Sequence, residues 1–225
     1  MTVYLLPEEP IFPPVDEAEP DGLVAIGGDL SPDRLLQAYV HGIFPWFRDE
    51  EDVYWYSPDP RMVLFPEQFR ISDSLNRIIT GKRFKVKFDT KFEQVIRSCA
   101  AVPRPGQDGT WISPDFINAY IALHKLGFAH SVEVFSGEEL VGGLYGISLG
   151  AAFFGESMFY SMNNASKVGF HALVERCREY GFRFIDCQTE TSHLLRLGAT
   201  LLERKDYILQ LEEALTKETI RGIWR

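Results

Sequence analysis

Apolar residues recur along this chain at two spacings, and the switches between them mark out the elements. The 3.6-residue period of a buried helix face runs through Leu35, Leu36, Tyr39 and Val40. Ser31 stands ready to cap that helix, Pro32 sits in its first turn and Gly42 follows its end. The same period returns at Phe92, Val95, Ile96 and Cys99, preceded by Thr90 and Glu93 at capping-box spacing. It returns again at Phe116, Tyr120 and Leu123 after Ser113-Pro114, and along Phe170, Leu173, Val174 and Cys177 in a long helix predicted from Asn164 to Tyr180. SDSLNRII and TSHLLRL read as short helices, and KDYILQL as a last element before a polar tail. Alternating or continuous apolar runs predict strands at RMVLFP, RFKVKF and FRFIDCQ, and an antiparallel meander through HSVEVF, LVGGLYGISLG and AAFFGESMF.

The first sixty residues differ from the rest. They are rich in turns (FPPVDEAEPDG, AIGGDLS, HGIFPWF, YSPDP) and hold one clear helix, which predicts a small N-terminal domain over residues 1–60 and a larger one over 61–225. A meander, a long helix and a further strand predict an α+β class with an acyltransferase-like mixed sheet. With 45% hydrophobic and 24% charged residues, disorder along the whole chain is excluded. No apolar run is long enough to span a membrane, and the acidic start MTVYLLPEEP is no signal peptide. Cys99, Cys177 and Cys187, an odd number at unremarkable spacing, read as buried thiols in a reducing cytoplasm.

The net charge of −9 speaks against a general nucleic-acid binder, but the charge is unevenly distributed. Residues 1–60 carry −11, whereas residues 61–97 carry +5. Within NRIITGKRFKVKFDTK, Arg77, Lys82, Arg83, Lys85, Lys87 and Lys91 face only Asp89. A local field of that kind can hold a phosphate backbone; it also suits an edge strand whose lysines discourage pairing with another chain.

Two carboxylates interrupt apolar strand ends: Glu156 after Phe153-Phe154-Gly155, and Asp186 after Phe184-Ile185. Acids in such places must be paired or hydrogen-bonded, or shift their titration. Asp186 and Gln188 are two apart, so on a regular strand they share a face, while Cys187 points away into the core. The plainer reading of Asp186 is an anchor for the helix that follows. Ser157, Ser161 and Ser166 lack a G-x-S-x-G elbow, and no HExxH or CxxC accompanies His124 and His130, so neither a serine triad nor a metal site is expected. GLVAIGGDLS lacks the dinucleotide fingerprint, and GESMFYSMNNASK has one glycine where a coenzyme-A pyrophosphate would need several bare amides. No cofactor is expected. Trp46 in GIFPWF and Trp111 in GTWI stand on flexible sequence, where they could stack on bases or pack between domains.

Taken in order, DGLVAIGGDLSPDRLLQAYVHGIFPWF, YSPDPRMVLFPE, DGTWI, LVGGLYG, FFGESMFYSMNNASK and FIDCQ, then a histidine and LGA, resemble the bacterial leucyl/phenylalanyl-tRNA–protein transferases. The likeness runs from about Gly22 to Tyr207. It implies a small N-terminal domain followed by a GNAT acetyltransferase-like domain. It also implies transfer of Leu or Phe, less readily Met, from aminoacyl-tRNA to proteins beginning with Arg or Lys, which creates an N-degron. By the same resemblance Asp186 and Gln188 are the catalytic pair, Glu156 positions substrate, and Trp46 and Trp111 hold the terminal adenosine. Leu144, Phe153 and Met158 line the amino-acid pocket, with Leu144 standing where a methionine is usual. The implied partners are Leu-tRNA, Phe-tRNA and the acceptor protein, met by a monomeric cytoplasmic enzyme whose basic run holds tRNA phosphates. Gln188 is expected to orient the attacking amine and Asp186 to polarise that contact. Two other functions remain open on the residues: a same-fold acyltransferase with another donor, and a non-catalytic adaptor for basic N-termini.

Overall fold

The computed structural model describes residues 3–49, 52–102 and 112–224. Two sheets organise it. The small one has strand order β1-β2-β4-β3, from Tyr4–Leu5 (β1), Leu23–Ile26 (β2), Phe44–Asp49 (β3) and Asp52–Tyr56 (β4), with helix α1 at Pro32–Val40. These strands were not foreseen. They are short and broken by prolines and glycines, so no alternating run announces them. Ser31 caps α1 as expected.

The large sheet has order β11-β5-β10-β9-β8-β7-β6. Its members are Arg61–Leu64 (β5), Lys85–Phe88 (β6), Ala129–Ser136 (β7), Glu139–Leu149 (β8), Ala152–Tyr160 (β9), Phe184–Gln188 (β10) and Thr200–Leu202 (β11). Among the described residues of this sheet only β9 and β10 run parallel, joined by the long helix α5 at Ala165–Glu179; its other pairs are antiparallel. The remaining helices are α2 (Asp73–Thr80), α3 (Phe92–Ala101), α4 (Pro114–Lys125), α6 (Ser192–Arg196) and α7 (Arg204–Leu215). The mixed-sheet class with a small N-terminal domain is therefore as expected.

Strand alternation divides the core between the two faces of the large sheet. Leu144, Phe153 and Ile185 pack with Phe170, Leu173, Val174 and Cys177 of α5. Their neighbours Tyr145, Phe154 and Phe184 pack on the opposite side with α3, α4, α7, Tyr39 of α1 and Trp55 of the small sheet. The small domain thus closes directly over the strands that carry the candidate residues.

Three local expectations need correction. Thr90 does not cap α3, whose N-cap is Lys91 without a side-chain bond. Instead, the Thr90 amide (3.2 Å) and hydroxyl (2.8 Å) donate to Glu133, a fully buried carboxylate on β7 that needs donors more than the helix end does. The tail expected to be polar carries a buried aromatic side chain. Trp224 is buried, stacks on His130 at 4.1 Å, and donates its amide to Asp89. Cys187 is half-buried on the wall of a cavity rather than enclosed in the core.

Candidate active site

Two bulges face each other where β9 and β10 stop pairing. Their last pair is Asp186 with Phe154. On the β8 side, Tyr145 pairs Ser157 and Gly146 pairs Gly155, so Glu156 is the extra residue of a bulge. Gly146 is required there, because a Cβ would fall 2.1 Å from the Phe154 carbonyl oxygen. On the β5 side, Asp186 pairs Val63 and Gln188 pairs Met62, with Cys187 as the extra residue. Gln188 takes φ +64°, a left-handed conformation that non-glycine residues rarely hold. Bulges re-aim side chains, and the regular alternation expected to put residues 186 and 188 on one face is interrupted here.

The re-aimed groups engage different partners. Glu156 Oε1 accepts from the Tyr39 hydroxyl (2.7 Å) and the Gln188 side-chain amide (3.0 Å), and Oε2 accepts from the Tyr120 hydroxyl (2.9 Å). The two phenol oxygens are themselves 2.6 Å apart. Burial pushes Glu156 up to about 7, against the pull of its three donors. Burial, then the neighbouring carboxylate, holds both phenols well above their ordinary range, so they act as donors and not as anions.

Asp186 is fully buried and both its oxygens are occupied. Arg61 reaches it with two parallel bonds, Nε to Oδ1 at 2.9 Å and Nη2 to Oδ2 at 2.7 Å. The Tyr207 hydroxyl donates to Oδ2 at 2.8 Å, and the backbone N–H of Gln188 donates to Oδ1 at 2.9 Å. The helix after β10 is capped by Thr191 instead.

A cavity of about 330 Å³ opens beside this cluster. Leu144, Met158, Phe170, Leu173, Ile185 and Leu194 make its apolar wall, while Glu156, Gln188, Thr189 and Trp46 also border it. Trp46, half-buried on β3, leans on Phe44 and edge-on against Tyr56 at 5.7 Å. Phe153 does not border the cavity; it is fully buried behind it, against Trp224. Trp111 lies outside the described residues. Burial pushes the Cys187 thiol up, away from the nucleophilic thiolate.

The basic run lies elsewhere. Arg77 is on α2, Lys85 and Lys87 are on β6, Lys82 and Arg83 are in the turn between them, and Lys91 follows β6 at the start of α3. All but the half-buried Lys87 are exposed, and none pairs with a carboxylate among the described residues. Strand β6 is the sheet edge, so the edge-strand and phosphate readings describe the same surface. Three strand spacings separate it from β9, about 14 Å.

Tyr39, Tyr120, Arg61 and Tyr207 were not anticipated as site residues. The two helical tyrosines have apolar-stripe spacing and read as core, which their rings are. The signal that marks them is the hydroxyl, since a buried phenol needs a partner.

The leucyl/phenylalanyl-tRNA protein transferase profile matches residues 63–212, and the profile of that family's N-terminal domain matches residues 28–59. The chain belongs to this family. A leucyl/phenylalanyl-tRNA–protein transferase from Anaeromyxobacter sp. strain Fw109-5 is 54% identical over all of this chain and 95% of its own length. Similar enzymes from Nitratidesulfovibrio vulgaris strain DP4 and Myxococcus xanthus strain DK1622 are 52% and 50% identical, over all of this chain and 97% of theirs. Among solved structures, a soil-metagenome aminoglycoside acetyltransferase in complex with sisomicin is 16% identical with a TM-score of 0.39, over 64% of this chain and 97% of that one. No helix among the described residues is long and apolar enough to cross a membrane. In this transferase the twin bulges, with the cavity beside them, form the candidate active site.

Proposed function

We propose that this transferase moves Leu or Phe, less readily Met, from aminoacyl-tRNA to the α-amine of proteins that begin with Arg or Lys, leaving an N-degron. It works as a cytoplasmic monomer. The observation that carries the reading is the apolar cavity bordered at one place by the hydrogen-bonded Glu156–Gln188 pair and by the Trp46 indole.

The reaction is aminolysis of an activated ester. The amine nitrogen forms a bond to the ester carbonyl carbon, the bond to the ribose oxygen breaks, and one proton leaves the nitrogen while the ribose oxygen gains one. No covalent enzyme intermediate is needed. The attacking amine must be neutral, and a free α-amine titrates near 8. Glu156, held at about 7 by burial, is close enough in proton affinity to take that proton once ionised. Gln188 orients the nitrogen through its carboxamide. Asp186, with every lone pair engaged, acts through Gln188. An incoming ammonium or guanidinium also supplies the countercharge that Glu156 lacks among its three uncharged donors, which supports a cationic acceptor.

Burying a Leu or Phe side chain in the cavity contributes roughly 1.5–3 kcal/mol. Apolar slots separate neighbours in size by only about 1–3 kcal/mol, which accounts for residual Met transfer. Trp46 stacks the terminal adenosine, with Trp111 as its expected companion. The cations along α2 and β6, none of which pairs with a carboxylate among the described residues, hold tRNA phosphates without reading bases.

The test is transfer of labelled Leu from Leu-tRNA to an Arg-starting protein, with a Met-starting control, repeated as salt is raised. Label on the Arg protein alone, with tRNA affinity falling steeply with salt, is the expected result. Equal labelling of both proteins rejects the acceptor rule, and a flat salt response rejects the phosphate assignment.

A further inference from the structure

Arg61 is the first residue of β5 and has no exposed surface. Its guanidinium lies between two aromatic faces, Phe44 and Tyr207, each ring centroid 4.6 Å away. Beyond the two bonds to Asp186, its Nη1 donates to the Gly42 carbonyl at 3.0 Å. Gly42, at φ +73°, is pressed so close to α7 that a Cβ there would meet Ile208 and Tyr207 at 2.7 and 2.9 Å. It ends the turn from which β3 departs, and β3 carries Trp46. One planar cation therefore ties together the strand of Gln188, the turn leading to Trp46, and α7.

Stability alone does not call for such a group. A buried ion pair gives up hydration that its attraction barely returns, and well-packed apolar residues often serve as well. What the pair supplies is geometry. The fork of Arg61 fixes the plane of the Asp186 carboxylate, and that carboxylate fixes the backbone N–H of Gln188 in its left-handed turn. The turn in turn sets the carboxamide against Glu156 at the cavity.

The geometry points to Arg61 as the positioning residue of the active site, acting through Asp186 to hold the Gln188 carboxamide where the amine attacks. The inference rests on the reading of Gln188 as the group that meets the amine. It assigns to the buried negative charge of Asp186 a geometric role, and none as a proton acceptor.

The experiment measures kcat and KM for Leu transfer to an Arg-starting peptide, with the thermal transition recorded for each variant. Arg61→Gln is expected to lower kcat roughly 100-fold, the cost of about 1 Å of misplacement. Arg61→Lys should fall comparably, because an ammonium keeps the charge but cannot make two parallel bonds. The double variant Arg61→Gln/Asp186→Asn replaces the ion pair with an amide pair that still accepts the Gln188 N–H. It should recover kcat about tenfold over Arg61→Gln alone, a rescue that a merely structural loss or a required negative charge would not give. A folded Arg61→Gln protein with wild-type kcat, or a folded double variant no faster than that single one, overturns the inference. If the Arg61 variants do not fold, Tyr207→Phe removes one bond to Asp186 and keeps the ring over Arg61. It should lower kcat several-fold, in line with the loss of one hydrogen bond, and unchanged kcat there overturns the inference equally. Wild-type protein that transfers no Leu rejects the functional reading itself, whereas active wild type with indifferent Arg61 and Tyr207 variants rejects only the role given to Arg61.

Discussion

Strands β9 and β10 each carry one buried carboxylate at a bulge, and the two are solvated by the protein in opposite ways. Asp186 faces a guanidinium that matches it bond for bond. Glu156 faces two phenols and an amide, donors without charge, and burial lifts it to about 7. The difference teaches how one cleft can hold two acids for two purposes. A carboxylate matched by a planar cation is held in one geometry. One stabilised by neutral donors alone stays near the point of proton exchange and answers to a cation that arrives from outside.

Removing Glu156 should break this contrast most visibly. Glu156→Ala is expected to lower kcat by 10²–10⁴-fold, the range for loss of a positioned general base. The sign of the pH response follows from the raised titration. Only the ionised carboxylate accepts a proton and only the neutral amine attacks, so wild-type kcat/KM should climb steeply up to about pH 7, less steeply to about 8, and then level. Glu156→Gln should lose the part of the climb centred near 7 along with most of the rate and keep only the amine's rise near 8, and a Gln variant that keeps the wild-type profile would move the base elsewhere.

Asp186→Ala tests the other half. It strands a fully buried guanidinium, and breaking a buried pair from one side costs about 3–5 kcal/mol. Urea unfolding at pH 7 should show that loss as a lower midpoint with unchanged slope. A loss below 1 kcal/mol would mean that Arg61 finds another partner.

The smallest effect, and the sharpest on the comparison, is a gain. The folded protein holds Glu156 at about 7 while an ordinary glutamate titrates near 4.5. Its protonation favours folding fully below pH 4.5, and that contribution is lost as pH rises to about 7. The difference amounts to about 3 kcal/mol at most. Glu156→Gln should therefore be more stable than wild type at pH 8 by up to that amount, with the gap closing toward pH 4.5. The amide is accommodated because the Tyr120 hydroxyl can accept from it and donate onward to Tyr39. Asp186→Asn, which breaks a satisfied ion pair, should show no such gain at any pH.

Much of the scaffold was legible along the chain. The stripe through Phe170, Leu173, Val174 and Cys177 predicted α5 to within a residue at either end. The meander and the FRFIDCQ strand were readable for the same reason: periodicity is local and survives without knowledge of neighbours. The small sheet was not, since β1 has two residues and β2 four. Within the site, Glu156, Asp186 and Gln188 stood out as polar groups in apolar surroundings. Their partners did not, because Tyr39 and Tyr120 obey the helical period of core residues and Arg61 merely opens the predicted RMVLFP strand, with nothing local to show that it is buried.

The sequence by itself determined which strands and helices form, which faces they bury, and, through its ordered motifs, the transferase family. Only the tertiary structure decided which carboxylate is locked and which is poised. That outcome depends on Arg61 meeting Asp186 across 125 residues and Tyr39 meeting Glu156 across 117. It depends also on two bulges whose register is set by neighbouring strands. How a buried carboxylate is held depends on the donors within about 3 Å of it, and for these two acids most of those donors come from distant parts of the chain.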